Sequence, residues 1–173
     1  GESTEADLLS LLYATETTSM AAIVRPQSAE RLRIGRALDL GAAGVILPQL
    51  QSLDDVRAAV DWLRYPPVGQ RGVALRTRGA AMGALGHDDV ARVVNARVAG
   101  IVQIESRGAL AVADEIAALE PVDVLFVGPA DLTHALGIPG RFTDELYLDA
   151  LRRVVAAAER HGKAAGILVY DAA

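Results

Sequence analysis

The sequence predicts an α/β fold built around a parallel sheet, and three observations carry that prediction. Five short apolar runs have the length and composition of strands buried on both faces. Stretches with helical spacing of apolar residues separate them, and no internal repeat or low-complexity run suggests another architecture. The length, 173 residues, is that of a single domain.

Taken in order along the chain, a helix is expected over Glu5–Ala14 and a strand at Ala21–Val24. A second helix, Ala29–Leu40, stops at Gly41, a residue free to take the left-handed conformation that closes helices. Strand Gly44–Leu47 follows. Ser52 then caps a helix whose Leu53, Val56, Val60 and Leu63 share one face, with Asp55 as the capping-box partner. From Tyr65 to Arg97 the chain is punctuated by Pro66, Pro67, Gly69, Gly72, Gly79, Gly83 and Gly86, which predicts a long connection. Such a connection is either an ordered surface excursion or a functional segment lying over a site. Strand Gly100–Ile104, helix Ala109–Leu119 and strand Val122–Val127 come next, then a short helical turn at Leu132–Leu136 closed by Gly137. A last helix, Thr143–Arg160, has Asp144 and Glu145 in its first turn and Gly162 past its end, before a strand at Ala165–Val169.

Composition narrows the function. With 51% hydrophobic and 23% charged residues and no apolar run long enough to span a bilayer, no membrane partner is expected. Lys+Arg 17 against Asp+Glu 22 gives a net charge of −5, the wrong sign for neutralising phosphates, so no nucleic-acid partner is expected either. The absence of cysteine excludes disulfide scaffolds, thiolate metal sites and cysteine nucleophiles. The first residue is Gly1, which reads as a processed, tagged or cut N-terminus; no basic-then-apolar leader follows it, and a cytoplasmic location is expected.

In parallel α/β folds ligands gather at the carboxyl ends of the strands. Three polar residues are predicted there: Arg25 after Ile23-Val24, Glu105 after Val102-Gln103-Ile104, and Asp131 after Val127-Gly128-Pro129-Ala130. An acid placed straight after a buried run needs a partner. Two carboxylates suit magnesium or manganese, hard cations that keep several waters; salt-bridged or capping acids are the alternative. Arg25 is equally readable as an anion contact or as one half of a structural ion pair. If the turn after Pro129 is helical, the Ala130 and Asp131 amides are free donors for a carboxylate; the alternative is an Asp cap on a surface turn. His161 falls where a cation suits a helix end, His87 lies in the long connection, and His134 is a nearby acid or base of unknown direction.

Absences count as well. The only lysine, Lys163, precedes its strand and so falls at the opposite rim from a Schiff-base position. No P-loop, G-x-G-x-x-G, G-x-S-x-G or H-E-x-x-H motif is present, which argues against a doubly wound nucleotide-binding domain and against serine or zinc hydrolysis.

Four strings occur together: Ile23-Val24-Arg25-Pro26; Arg64-Tyr65-Pro66-Pro67 with Gly69 and Arg71-Gly72-Val73; Val102-Gln103-Ile104-Glu105-Ser106; and Phe126-Val127-Gly128-Pro129-Ala130-Asp131-Leu132. In this order and spacing the chain resembles the HpcH/HpaI aldolase family, metal-dependent pyruvate aldolases of the phosphoenolpyruvate/pyruvate superfamily, from about its start to Leu168. The resemblance implies Glu105 and Asp131 as ligands of a divalent cation (Mg2+ or Mn2+, with Co2+ also admitted). It implies Arg25 as the contact to the pyruvate keto or enolate oxygen, the amides at Ala130 and Asp131 as the carboxylate site, and Gln103 beside the metal. The activity it implies is a carbon–carbon lyase that cleaves a 4-hydroxy-2-oxo acid to pyruvate and an aldehyde, working as a homo-oligomer on small molecules.

The family's histidine base, roughly two dozen residues before the arginine, falls at or just before Gly1. Aligning Ser3 with it leaves the loop short, so Gly1-Glu2 is read as following a lost Glu-His pair. The family's (β/α)8 TIM barrel takes about 250 residues. Five strands therefore read as an incomplete barrel lacking N-terminal and C-terminal elements. Two rivals remain at this point: a citrate-lyase-like or malyl-CoA-lyase-like enzyme, disfavoured because no basic groove for CoA phosphates is evident, and a noncatalytic remnant that binds metal and pyruvate.

Overall fold

Each of the five apolar runs forms a strand. In the computed structural model, which describes residues 4–169, these are β1 (Ile23–Val24), β2 (Gly44–Leu47), β3 (Ala99–Ile104), β4 (Val124–Val127) and β5 (Ala164–Ile167). All pairs are parallel, and the spatial order β1-β2-β3-β4-β5 is the sequence order. A sheet that advances one strand at a time, never reversing, is wound as a (β/α) barrel is wound; a doubly wound sheet would reverse direction at a switch point. The architecture is thus α/β, with a barrel-type sheet that is open among the described residues. Gly1, Glu2 and Ser3, the positions bearing on the histidine alignment, lie outside them.

The helices are α1 (Glu5–Glu16), α2 (Arg31–Asp39), α3 (Leu53–Asp61), α4 (His87–Asn95), α5 (Arg107–Ala111), α6 (Ala113–Ala117), α7 (Pro129–Leu136) and α8 (Glu145–Arg160). Alternation along the strands explains the core. Val45, Leu47, Val102, Ile104, Leu125 and Val127 face the helices and are essentially fully buried, packed on Ile34, Val56, Ile116 and Val154. The intervening residues Ile46, Val124 and Phe126 lie on the other face and are only half buried. Among the described residues no helix is long and apolar enough to cross a membrane.

Several predicted elements differ in detail. The first strand is shorter than its apolar run, and β4 begins at Val124, two residues into its run, with the Asp123 side chain just before it bonded to the Gly100 amide (2.7 Å) and Arg64 (3.2 Å). The expected helix Ala109–Leu119 is two helices, broken where Val112 leaves helical geometry at φ −111°, ψ 24°. The turn before Gly137 is the end of α7, which starts earlier, at Pro129. Asp55 bonds the Gln51 amide (3.2 Å) rather than that of Ser52, whose hydroxyl accepts from Asp55 N–H (3.1 Å).

The structure decides between the two readings left open for the connection Tyr65–Arg97. The connection contains α4, begun by His87, and a distorted 3₁₀ stretch at Arg78–Gly83. Its contacts place it under the amino ends of the strands. The buried Arg71 pairs with Asp39 at the end of α2 (2.7 Å), Arg78 donates to the Leu40 carbonyl (3.1 Å), and Gly79 packs on Leu38. It therefore lies opposite the rim of the acids, and two of its glycines, Gly69 and Gly79, serve close packing.

Candidate active site

The site is built from loops that leave the carboxyl ends of β2, β3 and β4. Period-two alternation places Gln103 and Glu105 on the same side of β3, the side away from the helices. Both are buried, at 7% and 5% exposure, which is unusual for an acid without a cation pressed against it. Glu105 Oε1 accepts the Gln49 backbone N–H at 2.7 Å, while Oε2 is buried with no hydrogen-bond partner among the described residues. Gln103 Oε1 is likewise buried and unpartnered.

Gly128, the cap of α7, lies against these two side chains. A Cβ there would sit 2.7 Å from both Gln103 Nε2 and Glu105 Oε2, so only glycine lets the start of α7 approach this closely. That approach brings Asp131 beside Glu105, near enough for the two carboxyls to hydrogen-bond when one is protonated. Burial pushes the Glu105 carboxyl above the usual carboxylate range; the Gln49 N–H opposes this, Asp131 adds to it, and the Arg25 charge pulls it back. Of the three residues that stood at predicted strand ends, Arg25 and Asp131 are thus each brought within electrostatic reach of Glu105.

Arg25 acts on Glu105 as a charge and makes no hydrogen bond to Glu105 or Asp131 among the described residues. It is exposed and lines a neighbouring groove with Ile23, Pro26 and α1 residues, whereas Glu105 and Asp131 open into a cleft of about 620 Å³ with Gln49, Gln51 and Arg107. At the start of α7, Pro129 has no N–H and Leu132 N–H is taken by Gly128, so the Ala130 and Asp131 amides have no partner among the described residues. They stand at the positive end of the helix, beside the acids.

The donor set suits a hard divalent cation: two neighbouring carboxylates, one with a buried oxygen that no protein group satisfies, and no thiolate or imidazole competing. His134 is exposed on α7, its side chain without a hydrogen bond among the described residues. His161 caps α8 and lies 3.4 Å from Asp114, the structural position expected of it. Lys163 reaches the Glu120 carbonyl at the amino ends, away from the site.

Two contributors escaped the sequence reading. Gln49 acts through its backbone, and its signal was its place just past the carboxyl end of β2, on the rim where polar residues were sought. Gly128 acts by having no side chain, and its contacts are with residues distant in sequence.

The chain matches the model of the HpcH/HpaI aldolase/citrate lyase family over residues 4–173. It is 37% identical to a hydroxypyruvate/pyruvate aldolase of Sagittula stellata over 96% of this chain and 65% of that protein. A 5-keto-4-deoxy-D-glucarate aldolase of Klebsiella pneumoniae is 37% identical over 93% of this chain and 62% of its own length. A crystal structure of a family protein from Burkholderia cenocepacia superposes with a TM-score of 0.88 at 38% identity, covering 97% of this chain and 67% of that one. The chain spans just under two thirds of the length of the curated relatives it matches. On sequence, on fold and on the strand-end residues that first suggested it, this chain belongs to the HpcH/HpaI aldolase/citrate lyase family.

Proposed function

We propose that the protein is a divalent-metal-dependent pyruvate aldolase, a carbon–carbon lyase that cleaves a 4-hydroxy-2-oxo acid to pyruvate and an aldehyde and runs in reverse for synthesis. The observation that carries this reading is the buried, unpartnered Oε2 of Glu105 beside Asp131, facing free helix amides and the Arg25 charge. The aldolase names of the relatives support the same class.

In this reading Glu105 and Asp131 hold Mg2+ or Mn2+, and the cation supplies Lewis-acid polarisation of the substrate's 2-oxo group when bound. The Ala130 and Asp131 amides orient the substrate carboxylate at the α7 N-terminus. Arg25 offers its guanidinium to the oxygen that becomes negative as the carbon–carbon bond breaks. Gln103, buried beside Glu105, supports the wall of the site. The base that takes the 4-hydroxyl proton is not found among these residues. We take the working unit to be a homo-oligomer acting on small molecules, supported by the apolar side chains Leu11, Met20 and Leu32 left exposed near β1; light scattering tests it.

The test of the activity is deuterium exchange into the pyruvate methyl group, followed by NMR with and without Mn2+ or Mg2+. It reads enolate formation whatever the aldehyde. Metal-dependent exchange is expected; a folded, metal-loaded protein that exchanges nothing would leave a binding role without turnover.

A further inference from the structure

Gln49 is an anomaly for its residue type. Its φ is +59°, in the left-handed region that an L-residue with a side chain seldom occupies, and its side chain is exposed, so packing does not hold it there. What the conformation achieves is directional: while the Gln49 N–H points to Glu105 Oε1 at 2.7 Å, the positive φ turns the chain that follows toward the residues after β3. Pro48 before it has no N–H, so the β2 ladder ends at Leu47 and the next donor in the chain is free for this use.

The neighbouring contacts fix the same loop. Ser106 Oγ donates to the Leu50 carbonyl at 2.8 Å while accepting Ala109 N–H at 3.0 Å, and Gly108 packs on the Gln51 backbone where a side chain would collide. The loop after β2 is thus clamped to the residues that follow β3. On the other side Gly128 bounds Glu105 Oε2. One oxygen is tied to a backbone donor and the other is left bare, although each could in principle have served either purpose.

We propose that Gln49 is a positioning residue of the metal site: its N–H, kept on Glu105 by a left-handed turn that leaves the loop tied to Ser106 beyond it, fixes the Glu105 rotamer through Oε1 and so commits Oε2 to the cation. The proposal rests on the metal reading above, and it concerns the backbone of residue 49, not its side chain. Glycine, which takes positive φ without strain, should therefore replace it at no loss, whereas proline, which has no N–H and a φ near −65°, should not.

The test is Mn2+ binding, measured by electron paramagnetic resonance on the purified protein, for wild type, Gln49→Gly, Gln49→Pro, Gln49→Val and Glu105→Gln. Circular dichroism reports the fold of each. Gln49→Gly is expected to bind within about twofold of wild type and Gln49→Pro to lose roughly 10- to 100-fold, the loss typical when a partner that orients a metal ligand is removed. Should Gln49→Pro not fold, Gln49→Val takes its place: it keeps the N–H but opposes positive φ, and an intermediate loss is expected. Wild-type affinity in a folded Gln49→Pro, or in Gln49→Val where proline does not fold, together with lost binding in Glu105→Gln, overturns the positioning role and leaves the metal site standing. Unchanged binding in Glu105→Gln overturns the metal reading, and this proposal with it.

Discussion

Glu105 combines burial, which disfavours its charge, with an amide donor that favours it, and burial is the larger effect. Its carboxyl therefore titrates higher in the folded, metal-free chain than in the unfolded one. The protonated form is stabilised by folding; that contribution is complete below the unfolded glutamate value of about 4.3 and is lost as the pH rises through the folded value. The contribution of Glu105 to the stability of metal-free protein is expected to fall as the pH is raised above about 4.3, read as the difference between the melting-temperature profiles of wild type and Glu105→Gln. Identical profiles for the two proteins would assign the dependence elsewhere. A divalent cation takes the ionised carboxylate, so Mn2+ affinity should climb over the same range. For Arg25→Ala the methyl exchange rate is expected to drop by about 100-fold or more, as when an oxyanion donor is lost, with Mn2+ binding largely kept. Unchanged exchange would make Arg25 a structural residue.

At the level of elements, the site depends on how closely α7 approaches β3. Gly128 sets that distance, since an added methyl meets Gln103 and Glu105 at 2.7 Å. The atoms it meets are the far ends of Gln103 and Glu105, so relief requires the Glu105 carboxylate itself to move toward the cleft it borders. Gly128→Ala is therefore expected to abolish Mn2+ binding while circular dichroism remains close to wild type; a variant that binds normally would show that α7 can shift without cost. The cap of α5 is a second junction. Ser106 caps that helix and ties it to Leu50, so Ser106→Ala should lower unfolding stability by about 1 kcal/mol, as read in urea titration. These elements were partly legible beforehand. The rim residues stood out because each acid followed an apolar run, and the α3 cap because Ser52 precedes a periodic stretch. The break at Val112 was not legible, because the apolar spacing runs through it and only packing shows the interruption.

On the scale of the whole molecule, the sheet is sealed on one face and half open on the other. Ile104 is fully buried on the sealed face, and Ile104→Ala should cost about 2–5 kcal/mol in unfolding free energy, measured by chemical denaturation. The open face carries Gln103, Glu105 and the half-buried Ile46 and Phe126, so chemistry and incomplete cover fall on the same side. The long connection occupies the opposite end of the sheet, fastened by buried arginines: Arg64, immediately before it, to Asp123, and Arg71, within it, to Asp39. Its glycines and prolines announced an irregular path but not its side. That side was decided by partners 32 and 59 residues away.

By itself the sequence determined the succession of strands and helices, the parallel sheet, and the residues standing at the strand ends, because periodicity and local capping are properties of neighbouring residues. The resemblance of four spaced strings determined the family, since their order survives without any knowledge of contacts. Only the tertiary structure decided that Glu105 has one oxygen on the Gln49 amide and the other buried without a partner among the described residues, that Gly128 lies against Gln103 and Glu105, and that the long connection lies at the amino ends of the strands. Each of these is a contact between residues far apart in the chain, and burial and hydrogen-bond satisfaction are fixed only when the layers have packed.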